Sequence, residues 1–204
     1  MPQPKVPAGV EHRYFKIDGI KVETRADSTS LMIKGHAAVF NQMTDTNDYW
    51  GFVEKINPGA FAKTIQDGDA RALWNHNSDY VLGRKSAGTL KLYEDNIGLA
   101  IEIDPPATTW ASDLMISMQR GDIKEMSFGF IVKDTLWEEI NGQWVRTLLE
   151  VELIEVSPVT FPAYTGTDVS ARTLEELRTA KATKVEPPVP ASVLLSLLDL
   201  ETAN

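Results

Sequence analysis

The strongest constraint on the fold is a succession of short β-type segments that end at turn residues. Residues 148–159 alternate apolar and charged side chains, which is the pattern of a strand with one buried face. Asn141-Gly142 precedes this segment and is the strongest dipeptide signal for a hairpin turn. The segments 14–17 and 20–24 flank Asp18-Gly19, a second such signal, and predict another hairpin. We therefore predict a mainly β domain.

A few helices interrupt these strands, which makes the predicted class α+β. Pro58 starts a short helix that ends at Gly68, because proline needs no N–H partner in the first helical turn. Residues 108–120 give the clearest helix, with a threonine to cap its start and Gly121 after its end. A third short helix is predicted at residues 173–181.

Composition divides the chain into three parts. Residues 1–11 are rich in proline and predict a flexible N-terminal arm. Residues 12–172 carry the strand pattern and predict one folded domain. Residues 173–204 combine the third helix, a proline-rich linker and a short amphipathic tail, which we place outside the folded core.

Charge and composition argue against several classes of function. The net charge of −9 repels phosphate backbones, so nucleic acid is not expected as a partner. No apolar run approaches the roughly 18 residues that a membrane span needs. The chain has no cysteine and three scattered histidines, so neither a metal site nor a cofactor is expected. These features predict a soluble intracellular protein.

The histidines are the candidate bases for a hydroxyl nucleophile, because imidazole is neutral near pH 7. His12 falls next to the flexible arm and is predicted to do no chemistry. His36 lies inside an apolar strand, where a hydrogen-bonded structural histidine is the ordinary interpretation. His76 ends a strand between two asparagines, and strand ends are common positions for functional side chains.

Ser127 is the candidate nucleophile, although a strand serine that faces solvent is common. Alternation puts Ser127 and Gly129 on one face of their strand and bulky apolar residues on the other. Glu150, Glu152 and Glu155 are candidates for a carboxylate that orients a histidine. Strict alternation puts Glu152 and Glu155 on opposite faces unless a β-bulge intervenes, and any one of the three is also explained as part of a solvated strand face.

Six segments together resemble the prohead (procapsid maturation) serine proteases of tailed phages, which are distantly similar to the herpesvirus assembly proteases. Each segment is weakly specific alone, but they follow the family's order over roughly residues 30–170. The segments are GHAAVFN at 35–41, INPGAFAKTI at 56–65, ALWNHN at 72–77, VLGRKSAGTLKLYEDNIGLAIEI at 81–103, RGDIKEMSFGFIV at 120–132 and LIEVSPVTFPAYTGT at 153–167.

The resemblance implies a fold and a set of site residues. The implied fold has a closed or barrel-like antiparallel core, as in the herpesvirus assembly proteases. Ser127 matches the family's nucleophile, His76 its general base and Glu155 the third member. Glu152 is the alternative for the third position. His36 is a further alternative, because it stands where the family usually has an aromatic residue and because the herpesvirus relatives use a second histidine.

The resemblance also implies a biological role. The expected activity is cleavage of the scaffolding segment of the major capsid protein, and of the chain itself, inside the assembling procapsid in the host cytoplasm. The herpesvirus relatives suggest a homodimer. The alternative function is a catalytically inactive capsid assembly or scaffolding factor with the same fold.

Overall fold

The computed structural model describes residues 2–6, 8–15, 20–24, 31–45 and 51–161. The chain divides into two units, residues 1–167 and 168–204, and the second lies wholly outside the described residues. The third helix, the linker and the amphipathic tail fall there, so they and the domain boundaries stay predictions. No helix among the described residues is long and apolar enough to cross a bilayer.

A long hairpin organises the first of two β-sheets. The seven strands of this sheet are β1 (Glu11–Phe15), β4 (Thr44–Asp45), β5 (Phe52–Ile56), β6 (Arg71–Trp74), β7 (Asn77–Arg84), β10 (Glu125–Ile140) and β11 (Gln143–Val159). Strands β10 and β11 pair along their length, and the turn residues Asn141 and Gly142 both have positive φ, at 52° and 82°. These angles match the primed turns that join hairpin strands, so the predicted hairpin is confirmed.

The second sheet is antiparallel, and it contains only one of the two strands that were predicted to form a hairpin around Asp18-Gly19. Its four strands are β2 (Lys21–Thr24), β3 (Leu31–Val39), β8 (Leu90–Glu94) and β9 (Gly98–Ile103), in the order β2-β3-β9-β8. Strand β1 pairs with β10 and β2 pairs with β3, so the two lie in different sheets. The hairpin predicted around Asp18-Gly19 is therefore wrong.

The prediction of a closed or barrel-like antiparallel core is also wrong. The first sheet follows the order β1-β10-β11-β5-β4, with β6 paired to both β11 and β7. Strand β11 runs parallel to β5 and to β6, so this sheet is mixed. Among the described strands no pairing joins the two ends of either sheet, so both are open. Alternation in a sequence indicates which face of a strand is buried, but it does not determine which strands pair.

Two helices lie within the described residues, close to the predicted places, although the first begins four residues after Pro58. They are α1 (Ala62–Asp67) and α2 (Thr109–Gln119). The core packs around Phe128 on β10, whose ring lies 5.7 Å from that of Phe61 and 5.0 Å from that of Phe130, centroid to centroid. All three rings are fully buried, and each contributes about 2 kcal/mol through the area it removes from water. Phe128 and Phe130 thus define the face of β10 that packs against the core.

Candidate active site

Strand pairing gathers the candidate residues on one face of the first sheet. Ser127 on β10 lies directly opposite Ser157 on β11, and Gly129 lies opposite Glu155. Strand β1, on the other side of β10, places His12 opposite Gly129. Residues that are directly paired project to the same face of a sheet. The opposite face of β10 carries the buried phenylalanines, so these five residues share the face away from that core.

A β-bulge in β11 turns Glu155 toward this face. Gly129 pairs with Glu155 while the next residue, Phe130, pairs with Leu153, so Ile154 is the extra residue of the bulge. Without the bulge, Leu153 and Glu155 would project to the same side. With it, Leu153 joins the hydrophobic core and Glu155 projects to the site. The sequence left open whether such a bulge exists.

His76 lies in the two-residue turn between β6 and β7. Asn75 and His76 both have positive φ, at 53° and 58°, in the left-handed region that few residues other than glycine adopt. The turn contacts the end of β11, where the backbone N–H of Asn75 donates to the carbonyl of Pro158 at 3.1 Å. The N–H of His76 donates to Ser157 Oγ at 3.2 Å. These contacts fix the backbone that carries the imidazole.

The imidazole of His76 and the carboxylate of Glu155 form the closest polar contact in the site. Nδ1 of His76 lies 2.7 Å from Oε1 of Glu155. The other carboxylate oxygen, Oε2, accepts a hydrogen bond from Ser157 Oγ at 2.5 Å. A carboxylate accepts, so it favours the tautomer with its proton on Nδ1, which leaves a lone pair on Nε2. Nε2 is buried and has no hydrogen-bond partner within the described part of the chain.

Ser127 is on the same face but does not contact this imidazole. Its side chain is fully buried, and its Oγ donates a hydrogen bond to the carbonyl of Arg13 at 3.0 Å. It neighbours Ser157, the residue that the backbone of His76 contacts. The structure therefore brings His76 and Glu155 into direct contact and places Ser127 beside them, without a hydrogen bond between Ser127 and His76.

His12 also lies beside these residues, which its position in the sequence did not indicate. Its ring lies 4.5 Å from that of His76, edge to face, and its Nε2 lies 3.7 Å from Glu155 Oε1. Burial, and next the neighbouring His76, lower the pKa of His12 below its ordinary value. The proline-rich start suggested a loose arm, although two strand-forming residues, Tyr14 and Phe15, lie two and three positions after His12.

The two alternatives for the third position lie elsewhere. Glu152 forms an ion pair with Lys133 at 2.6 Å, and its side chain is 47% exposed. His36 lies on β3 of the second sheet, where its Nε2 contacts Asp95 at 2.8 Å. Neither residue has a hydrogen bond to His76 among those of the described residues.

A buried network of charges holds β1 from the core side. Arg13 Nε donates to Glu54 Oε1 at 2.7 Å, and Arg146 Nε donates to Glu54 Oε2 at 2.5 Å. Both guanidinium groups also donate to Glu11 Oε2, each at 2.6 Å. The side chains of Arg13, Glu54 and Arg146 are at most 4% exposed. Because Arg13 follows His12 directly, this network also fixes the strand that brings His12 to the site.

Three side chains at the site are suitable ligands for a cation. One nitrogen from each of His12 and His76 and one oxygen of Glu155 lie within 4.8 Å of one another. This is the single group of three such residues found in the described part of the chain.

Known proteins resemble the chain over most of its length. A family model described as caudovirus prohead serine protease matches residues 19–181. The chain is 27% identical over 162 residues to the prohead protease of Enterobacteria phage HK97, which covers 77% of this chain and 67% of that protein. Solved structures give no significant match. His76, Ser127 and Glu155 lie within the matched region, whereas His12 precedes it.

Proposed function

The chain belongs to the caudovirus prohead serine protease family, and from this premise we propose that it cleaves peptide bonds with Ser127 as its nucleophile. His76 acts as the general base, and Glu155 orients it. The observation that carries the proposal is the 2.7 Å contact between His76 Nδ1 and Glu155 Oε1, on the face of the sheet that also bears Ser127.

The first step is a rotation of the Ser127 side chain. In the structure its hydroxyl donates to the carbonyl of Arg13. A change of χ1 exchanges this bond for one to Nε2 of His76, the nitrogen that has no partner among the described residues. The staggered rotamers of serine are all minima, and catalytic hydrogen bonds often tighten only when substrate binds. The fully buried serine is thus a resting conformation in this mechanism.

Bond formation follows by the usual chemistry of an activated serine. Ser127 Oγ bonds to the carbonyl carbon of the substrate while Nε2 of His76 takes the hydroxyl proton. Glu155 stabilises the resulting imidazolium. His76 then gives the proton to the leaving amine, the C–N bond breaks, and an acyl-enzyme remains. Water, deprotonated by the same nitrogen, hydrolyses the ester and restores the serine.

Ser157 positions the carboxylate in this mechanism. Its hydroxyl holds Oε2 of Glu155 at 2.5 Å, while Oε1 faces His76. Both oxygens are thereby directed by separate partners, and the side chain of Glu155 is only 7% exposed. A carboxylate held in this way keeps the imidazole in the required tautomer and orientation.

The family and the name of the phage HK97 relative support a role in prohead maturation. We propose that the substrates are the scaffolding segment of the major capsid protein and the chain itself, inside the procapsid in the host cytoplasm. Self-cleavage would remove part of residues 173–204, which lie outside the described residues. A homodimer remains a prediction from the herpesvirus relatives.

The test is co-expression of the chain with its capsid protein, with both followed by intact mass. Wild type should shorten the capsid protein and itself, and Ser127→Ala should leave both at full length. Ser157→Ala is the matched control, since it removes the neighbouring hydroxyl but keeps the nucleophile. It should slow cleavage without abolishing it. Full cleavage by the Ser127→Ala chain would assign the nucleophile to another residue.

One observation favours a second candidate function, a catalytically inactive assembly factor. Ser127 is fully buried and bonded to a backbone carbonyl rather than to His76. If that conformation is permanent, the fold is kept without the activity. Shells that assemble with wild type while neither protein is shortened would support this function and exclude the protease mechanism.

A further inference from the structure

We propose that His12, His76 and Glu155 bind a zinc ion, and that the bound zinc inhibits the protease. Oε1 of Glu155 lies 2.7 Å from His76 Nδ1 and 3.7 Å from His12 Nε2. Zinc bonds of 2.0–2.1 Å in a tetrahedral site separate neighbouring ligand atoms by about 3.3 Å. Both distances are within about an ångström of that value. The ligand nitrogens of the two histidines lie within 4.8 Å of each other, so side-chain movements of up to about 1.5 Å complete the site.

The ligand types select zinc over the harder cations. Two imidazoles and a carboxylate form a ligand set found in zinc enzymes, whereas magnesium and calcium prefer oxygen ligands. The chain has three histidines and no cysteine, and His36, on the second sheet, is engaged with Asp95. The sequence predicted no metal site because it showed these histidines only as scattered positions. Pairing of β1 with β10 brings two of them together.

A glycine beside the ligands and the exposure of His12 favour the binding of an ion. Gly129 lies beside two of the three ligands, and a Cβ there would lie 2.7 Å from Glu155 Oε1 and 3.0 Å from His12 Nε2. The absence of a side chain at this position therefore keeps the ligand atoms free to move. The side chain of His12 is 40% exposed, so an ion reaches the group from solvent. Three protein ligands leave a fourth coordination position for water.

Zinc at this position inhibits the reaction through the tautomer of His76. Coordination uses the lone pair of Nδ1, so the proton that the resting imidazole carries there moves to Nε2. A protonated Nε2 has no lone pair with which to take the proton of Ser127. Glu155 is occupied by the metal at the same time. This inhibition rests on the proposed function, whereas zinc binding rests on the geometry alone.

Inhibition by zinc depends on His12, which lies outside the part of the chain that the family model matches. His12 lies on β1, and the matched region begins at residue 19. His76 and Glu155 lie within it. We therefore infer inhibition by zinc from His12 on strand β1 of this chain, and not from the match to the family.

Zinc binding is tested with the full-length Ser127→Ala chain, which cannot cleave itself under the proposed mechanism. Isothermal titration with ZnCl2 should show one ion bound per chain. A His12→Gln substitution in the same background should weaken binding by about tenfold or more, because removal of a ligand costs at least as much as removal of its supporting partner. His36→Gln is the matched control and should bind zinc as tightly as its parent.

Either of two results would overturn the site. One is a Ser127→Ala chain that takes up no zinc at millimolar ZnCl2 while its circular dichroism shows the native fold. The other is equal affinity in the His12→Gln variant. Loss of affinity in the His36→Gln variant, with an unchanged spectrum, would place the ion elsewhere and overturn it as well.

Inhibition is measured separately on wild type, with the capsid protein as substrate. Zinc should stop cleavage, a chelator should restore it, and His12→Gln should need about tenfold more zinc for the same inhibition. Zinc that binds without slowing cleavage would overturn the inhibition but leave the site. An absence of cleavage without zinc would overturn the proposed function, and the titration would still decide the site.

Discussion

Substitution of Gly129 by alanine should impair catalysis without unfolding the protein. The Cβ of an alanine there would lie 2.7 Å from Glu155 Oε1, and ordinary contacts begin at 3.4 Å. The carboxylate must therefore move by about 3.4 − 2.7 = 0.7 Å. If the carboxylate moves along the line from His76, the 2.7 Å contact with Nδ1 lengthens to about 3.4 Å, beyond the usual range of a hydrogen bond.

The expected cost is a loss in kcat of about a hundredfold, the scale seen when a catalytic group is misplaced by roughly 1 Å. Stability should change little, because Gly129 does not have the positive φ that alanine avoids. The other close neighbour is His12, whose side chain is 40% exposed and free to turn aside. The substitution thus separates the geometry of the site from the stability of the fold.

The assay is kcat and KM on the capsid protein beside thermal unfolding. Gly142→Ala is the matched control, since Gly142 has a φ of 82° and open space around it. That variant should lose about 1 kcal/mol of stability and keep its kcat, because it lies in the turn of the β10–β11 hairpin. An unchanged kcat in a folded Gly129→Ala protein would refute the role assigned to Glu155. An unfolded variant would refute the expectation that the substitution leaves stability unchanged.

Three further predictions concern the described fold. Glu54→Ala should lower the free energy of unfolding, measured in urea, by about 3–5 kcal/mol, because it removes a partner from two buried guanidinium groups. A change below about 1 kcal/mol would contradict that account. His36→Gln should leave kcat unchanged, since His36 lies on the second sheet and contacts Asp95; a large loss of kcat would bring it back as a site residue. Gly98→Ala places a Cβ 1.9 Å from a backbone oxygen of β3 and should cost more than about 4 kcal/mol, visible as a much lower Tm; a near-native Tm would show that β3 and β9 separate easily.

Local chemistry made several elements predictable from the sequence. Asn141-Gly142 determines a hairpin because both residues adopt positive φ with little strain. Helix α2 was predictable from its spacing, and its buried residues, such as Leu114 and Met118, share one face. The local pattern also indicated His76 and Ser127 as candidate site residues, because His76 ends a strand and Ser127 lies on the strand face away from bulky apolar residues.

The rest depended on contacts between distant segments. Asp18-Gly19 has a valid turn signature, yet β1 and β2 find better partners in different sheets. Neither the parallel pairing of β11 with β6 nor the bulge at Ile154 leaves a mark in the local pattern. For that reason the choice between Glu155 and Glu152 stayed open in the sequence, and the contact of His12 with the site was missed.

The buried charges behind β1 are best understood as a device for register. Charge pairs removed from water contribute little net stability, so Glu54 and its arginines are weak evidence for a more stable fold. A strand that slips by one residue, however, exchanges its two faces. Such a slip would break the hydrogen bonds from Arg13 to the carboxylates of Glu54 and Glu11, and it would turn His12 toward the core. The network therefore penalises the slipped register and keeps His12 opposite Gly129, beside the imidazole and carboxylate on which both proposals rest.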